Sequence, residues 1–283
     1  MSRLVRGDFS RLFKSKVFWL GVIFMLGAAV VIVYVLWNQI QYERRFHPDY
    51  YGPPDFILLY GIMLFDGIVI SIFAGIFIGS DYRYGTIRNK LIMGHSRTAI
   101  FLSNLIICFT SAFIMHIVYI AVIVGAAAAG LTDKFEMSPE EILIYILISV
   151  CSVLAMTSVI LLLCMLIPSR TASTVVALVL SIMALFAAQM IDGIRYKGES
   201  VNTVLPDGYV VSHYVYIDDM STTGRIIKFV NDYLPQNQLF QLVNRRSVDN
   251  IKLDKEIFPL YSLSLVALST TAGILVFRKK DLK

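Results

Sequence analysis

The sequence predicts an all-α polytopic membrane protein with six transmembrane helices and both termini in the cytoplasm. Of its 283 residues 57% are hydrophobic and 16% charged, with a mean hydropathy of +0.70. A soluble domain is about half apolar and about a quarter charged. The excess apolar residues are gathered into runs of about 20 residues or more, the length that crosses a bilayer core. Lys and Arg alternate between rich and poor connectors, which sets the orientation.

Residues 1–16 carry Arg3, Arg6, Arg11, Lys14 and Lys16, while Leu4, Val5, Phe9, Leu12 and Phe13 share one helical face. This is the pattern of an amphipathic helix lying on the cytoplasmic membrane surface. It is not a secretory signal, because the next apolar run is too long and no small-residue cleavage site follows. The first span is 17–37, followed by a loop from Asn38 to Asp55 that holds Pro48, Pro53 and Pro54. The second span is 56–80. A basic connector, 81–99, leads to a third span, 100–129, long enough to tilt or project from the bilayer. An acidic loop (Asp133, Glu136, Glu140, Glu141) precedes the fourth span, 142–167. The turn Pro168-Ser169-Arg170-Thr171 then opens the fifth, 172–191. A polar insertion, 192–256, separates it from the sixth, 257–277, and the tail is basic.

The N-terminus, the 81–99 connector, the Pro168 turn and the tail together hold 14 Lys and Arg, whereas the other two short connectors hold only Arg44, Arg45 and Lys134. Long loops translocate largely regardless of charge, so the remaining eight, in the insertion, do not vote. The same bias explains the net charge of +5 better than nucleic-acid binding does. Cys108, Cys151 and Cys164 all lie in apolar runs without metal-ligand spacing, and read as small buried hydrophobes.

The insertion is therefore expected to be extracellular. Tyr209 to Ile217 alternates β-branched or aromatic with polar residues, as a strand does. Ile226, Ile227, Val230, Tyr233 and Leu234 have helical spacing, as do Leu239, Phe240, Leu242 and Val243 beyond Pro235. Two short helices broken at the proline, packed as a lid over the outer mouth, bury that periodicity. A solvated loop is the alternative.

Enzymatic motifs are missing from the chain. A phosphate loop needs Gly-Lys, a dipeptide that does not occur here. A zinc protease needs two histidines one helical turn apart, but His47, His95, His116 and His213 are scattered singly. The pair Glu140-Glu141 lacks the Arg that an intramembrane protease motif requires. Two ionisable residues do sit inside spans, Asp66 and His116, at similar depth from the outer side. A membrane-embedded acid is a functional candidate by default. The competing reading makes Asp66 a structural cap near Gly67, and His116 a satisfied structural histidine.

The connector carries the most information. Arg83, Arg88, Lys90 and Arg97 fall within it, Gly85 and Gly94 punctuate it, and Ile87, Leu91 and Ile92 recur at helical spacing. A short amphipathic helix with an apolar stripe and basic rim suits docking on a cytoplasmic partner; topology retention alone is the plainer reading. The segment resembles the cytoplasmic loop of type-2 ATP-binding cassette (ABC) permeases. In that loop an acid precedes Gly-Thr by four positions, an apolar/basic helix follows, and Ser-Arg stands before the next span. Asp81, Gly85, Thr86, Leu91, Ser96 and Arg97 hold those positions here, with Asp81 where Glu is usual and Asn104 where a Lys often begins the third span. The amphipathic start, the six spans and the large segment before the last extend the resemblance over nearly the whole chain.

The resemblance implies a single type-2 transmembrane domain over 1–283, the membrane half of an exporter. Asp81, Gly85, Thr86, Arg88, Leu91, Ser96 and Arg97 would couple it to a separate ABC ATPase subunit. ATP and magnesium would bind that partner, and this chain would need no cofactor or metal of its own. A second permease chain, identical or sister, would complete the assembly. The implied substrate is amphipathic or hydrophobic: an antimicrobial peptide, a drug or a lipid-like molecule. Two other functions compete: a proton-coupled secondary transporter using Asp66 and His116, and a membrane sensor or scaffold whose extracellular segment binds a ligand. A neighbouring gene for a phosphate-loop ATPase would favour the permease. No Asn-X-Ser/Thr sequon occurs, which accords with a bacterial plasma membrane.

Overall fold

A computed structural model describes residues 1–46, 57–131, 139–204, 210–216, 221–245 and 255–280. Within these, the side chains of 57–65, 130–131, 139, 141, 192, 195–204, 210–216, 242–245 and 255 are left aside. The rest of the Pro-rich 38–55 loop, and Asp133 and Glu136, lie outside the described residues.

Ten α-helices follow in chain order among the described residues: α1 Ser2–Phe13, α2 Lys16–Phe46, α3 Ile57–Arg83, α4 Thr86–Ile92, α5 Arg97–Ala126, α6 Pro139–Leu166, α7 Arg170–Arg195, α8 Thr222–Tyr233, α9 Pro235–Arg245 and α10 Phe258–Lys279. Five of them, α2, α5, α6, α7 and α10, are long and apolar enough to cross a membrane. The remaining expected span, the second, falls on α3, a helix of 27 residues. Each of the six helices runs past its expected limits at one end or both. The largest excess is in α2, which continues through Asn38 to Phe46, where a loop is expected. Nothing in Gln39–Phe46 breaks a helix, and the first proline comes only at Pro48. At 1.5 Å per residue, α2 is about 46 Å long and overshoots a hydrocarbon core of about 30 Å.

The core forms around α3, α5 and α6. α3 packs on α2, α5, α6, α7 and α9, and α6 on α10. About half of the apolar window of α5 and α6 is buried, 50% and 56%, against 17% in α2 and α7, so the latter pair is peripheral. Phe18, Phe73, Phe101, Phe277, Met25 and Tyr119 are the large buried side chains at the centre. Hydroxyls tie the helices across this core: Ser71 Oγ donates to the Ala177 carbonyl at 3.0 Å, and Ser269 Oγ lies 2.7 Å from Ser158 Oγ. Such bonds suit a bundle in lipid, where association gains little from the hydrophobic effect.

Gly75 and Gly79 form a small-x-x-x-small stripe that seats α3 against α7. A Cβ on Gly75 would stand 2.5 Å from Thr174 Cα, and one on Gly79 would stand 2.6 Å from Arg170 Cα. Backbone cannot yield as a side-chain tip can, so Gly75→Ala is expected to destabilise by about 1–3 kcal/mol. Thermal unfolding in micelles, wild type against variant, checks this; unchanged stability would mean that the two helices separate easily.

The insertion opens with a hairpin: β1 Tyr196–Val204 pairs antiparallel with β2 Val210–Tyr216, aligning Val201 with His213 and Thr203 with Val211. β2 falls where a strand is expected; β1 is additional. α8 and α9 follow, broken at Leu234-Pro235 as the sequence suggests, and α9 packs against α3, α6 and α7. The expected apolar stripe is inward only in part: Ile227, Tyr233, Leu234, Leu239 and Phe240 are half-buried. Ile226, Phe229 and Val230 of α8 are exposed, whereas Asn231, Gln236, Asn237, Gln238 and Gln241 are buried. Gln238 among them has partners that water would otherwise supply: its Oε1 accepts from Ser152 at 3.0 Å and from Ser262 at 2.8 Å, and its Nε2 donates to the Asp232 carbonyl at 2.9 Å. A buried polar group so satisfied costs little, and it clamps α9 to α6 and α10.

Candidate coupling site and intramembrane polar array

α4 is held on one side and free on the other. Gly85 (φ 66°) and Gly94 (φ 86°) adopt the left-handed conformation that lets the chain turn sharply into and out of this seven-residue helix. Ile87 and Lys90 point inward and are buried; Tyr84, Arg88, Asn89, Ile92 and Met93 are exposed. Leu91, expected on the docking stripe, is half-buried and packs against the core.

Lys90 is the anchor. Its ammonium donates to both carboxylate oxygens of Asp8 on α1, at 2.8 and 3.0 Å, and lies 3.7 Å from Asp81. Ser103 of α5 donates to Asp8 at 2.7 Å. Arg11 forms a bidentate pair with Asp81, one arm at 3.0 Å, and its guanidinium sits 4.0 Å above the Phe77 ring. Two acids and two bases from α1, α3 and α4 thus balance in a buried knot. Burial pulls the Lys90 ammonium below its ordinary range against the opposing pull of Asp8, and lowers Arg11 likewise. Broken pairs here would leave uncompensated charge.

The expected coupling residues therefore divide. Arg88 is exposed on the free face of α4. Asp81, 1% exposed, works inside the chain, where it holds α1. Gly85 shapes the turn, and Thr86 opens α4. Ser96 caps α5 by accepting from the Ala99 amide at 3.2 Å. Arg97 donates to carbonyls at the end of α10, among them Phe277 at 3.2 Å and Lys280. Beside it, Lys280 donates to the Met165 and Leu166 carbonyls at 2.8 and 3.0 Å and lies 3.0 Å from the Tyr82 hydroxyl. A cation at the C-terminal end of α6 complements its dipole. Asn104 is buried, its amide 3.5 Å from Met165 Sδ.

Sequence reasoning missed Asp8, Arg11, Ser103 and Lys280. A signal existed for Asp8: it is the lone acid in a basic amphipathic segment.

Toward the other end of the bundle, Asp66 and His116 meet. His116 Nδ1 is 2.7 Å from Asp66 Oδ2, and Nε2 is 3.0 Å from Ser149 Oγ. Ser149 donates its one proton to the Ile146 carbonyl at 2.8 Å, so Nε2 must donate to Ser149. Nδ1 and Oδ2 then share a single proton, and the pair is neutral overall.

Several bilayer-length helices around an apolar core with polar ties, and a short connector helix held by charge at one end, define a multi-pass membrane protein. A family model, described as ABC-2 family transporter protein, matches residues 4–184. The chain belongs to that family and is the membrane-spanning permease subunit of an ABC transporter. The matched region runs from α1 into α7 and includes both the α4 knot and the Asp66–His116 pair. A search among curated proteins finds no match.

Proposed function

We propose that this chain is the membrane half of an ATP-driven exporter, which carries an amphipathic or hydrophobic molecule out of the cell. The observation that carries the reading is the two-sided α4: pinned inward through Lys90, it presents Arg88, Ile92 and Met93 outward on an otherwise polar connector. The partner on that face is an ABC ATPase subunit, which binds ATP and magnesium. A second permease chain pairs with this one in a bacterial plasma membrane. The Lys and Arg bias places the α1–α4 end in the cytoplasm and the α8–α9 end outside. Closure of the ATPase displaces α4, and the knot passes that displacement to α1, α3 and α5 as a two-state rearrangement.

Purification from native membranes with mass spectrometry of co-purifying proteins tests the reading. A stoichiometric ATPase whose hydrolysis responds to this chain supports it; a chain that purifies alone and still transports overturns it. The neutral Asp66–His116 pair favours a second reading, a proton-coupled carrier. In that case an uncoupler abolishes transport while ATP remains, whereas the exporter keeps working.

A further inference from the structure

The underside of α9 borders two adjoining cavities, and some of the polar atoms on their lining residues have no partner in the fold. The smaller, about 20 Å³, is lined by Asp66 and Gly67 of α3, Ser152 and Met156 of α6, and Gln236 and Leu239 of α9. The larger, about 170 Å³, is walled by Val159, Leu180, Ala184, Leu234 and Leu265 with Met156. Gln236 lines both.

Asp66 and Gln236 are 5% and 6% exposed. Asp66 uses Oδ2 on His116, while its Oδ1 and both amide atoms of Gln236 have no hydrogen-bond partner among the described residues. Buried polar atoms are expensive unless something pairs with them. Neighbouring amides differ: Gln238 is engaged by Ser152, Ser262 and the Asp232 carbonyl, while Asn237, which also lines the larger cavity, donates Nδ2 to Asn231 and leaves Oδ1 unpartnered among the described residues, as Asn231 does its Nδ2 and Gln241 its Oε1. Of these unpartnered atoms, those of Asp66, Gln236 and Asn237 belong to residues that line the cavities, and among the described amides Gln236 alone has both its oxygen and its nitrogen unpartnered.

We infer that these cavities form a binding site for an amide-bearing molecule with a small apolar body, and that this is the substrate site of the permease. The second clause rests on the exporter reading. Asp66 Oδ1 and Gln236 Oε1 each ask for a donor, and Gln236 Nε2 asks for an acceptor. A carboxamide or peptide group supplies N–H donors beside a carbonyl. A full cation is not demanded, because the Asp66–His116 pair is already neutral. The apolar cavity sets the body size: a dry cavity of about 150 Å³ holds benzene, so this one takes a single ring or a short alkyl chain.

The test uses the full chain in nanodiscs without ATPase, with empty nanodiscs as the blank. Calorimetry compares 3-phenylpropanamide with propylbenzene, which has the ring but no amide. The amide is expected to bind about tenfold tighter, and Gln236→Leu, which removes two orphan atoms, is expected to erase that preference. Equal binding of both probes, as follows if one water satisfies these atoms, overturns the proposal. So does an amide preference that survives in Gln236→Leu, or no binding of either probe. Should the variant fail to fold, a diazirine analogue of 3-phenylpropanamide decides on wild type. Labelling of the peptides carrying Met156 or Leu180 supports the site, and labelling elsewhere overturns it. Failure in these assays removes the site and leaves ATP-driven transport standing; failure to find an ATPase removes the exporter reading and leaves this binding intact.

Discussion

Ile92→Asp combined with Met93→Asp is expected to abolish stimulated ATP hydrolysis and to weaken ATPase binding about 100-fold or more, while the chain still inserts and folds. The two side chains are 75% and 68% exposed at the end of α4, so their replacement disturbs little within the chain. On a docking surface, exposed apolar groups near the contact centre carry most of the affinity, and a carboxylate in their place must be desolvated without a partner. Leu91→Asp is the contrast. Leu91 packs against the core, so that change is expected to loosen α4 itself and to lower stability as well as coupling. ATPase activity of the reconstituted complex, with and without the permease variant, checks the first expectation. Undiminished stimulation by the double variant would remove α4 from the interface.

Lys90→Met is expected to destabilise the chain by about 3–5 kcal/mol, because it strands Asp8 in a buried site with Ser103 as its remaining donor. Adding Asp8→Asn should recover most of that loss. The remaining knot, Arg11 with Asp81, is still balanced, and a neutral amide is far cheaper to bury than a lone carboxylate. Chemical unfolding of the two single variants and the double variant closes the cycle. Trypsin reports the local consequence: cleavage after Arg88 should accelerate in Lys90→Met as α4 lifts away, and return toward wild type in the double variant. If the double variant is as unstable as the sum of the singles, the pair does not act as a unit.

The legibility of this protein follows the range of the interactions involved. Helical spacing of Leu4, Phe9 and Leu12, the apolar runs, the break at Pro235 and the turns at Gly85 and Gly94 are local properties of the backbone and its solvent, and each appears in the fold where the residues suggest. The end of α2 is poorly marked in the sequence, since the prolines that announce the loop begin only at Pro48. The inward face of the lid is legible only in part, for a different reason. Of the apolar stripe on α8, Ile226 and Val230 are exposed while Ile227, Tyr233 and Leu234 are half-buried, and on α9 Leu239 packs beside Phe258 while Gln236 and Gln238 are buried. Gln238 is held there by serines of α6 and α10, distant partners that no local pattern announces.

By itself the sequence determined the class of this protein: bilayer-length helices, an amphipathic start, a basic connector, a family membership that spans residues 4–184. Those follow from composition and from periods of a few residues, which the chain carries whatever its partners. Tertiary structure decided which charges are surface and which are internal. Lys90 looks like one more basic residue on a cytoplasmic rim until Asp8 and Asp81 are brought to it. Asp66 and His116 are an odd acid and an odd histidine until α3 and α5 set them 2.7 Å apart. The physical reason is the short reach of pairing in a low-dielectric interior: a charge or an amide is settled by the few atoms within about 4 Å of it, and only folding selects those atoms.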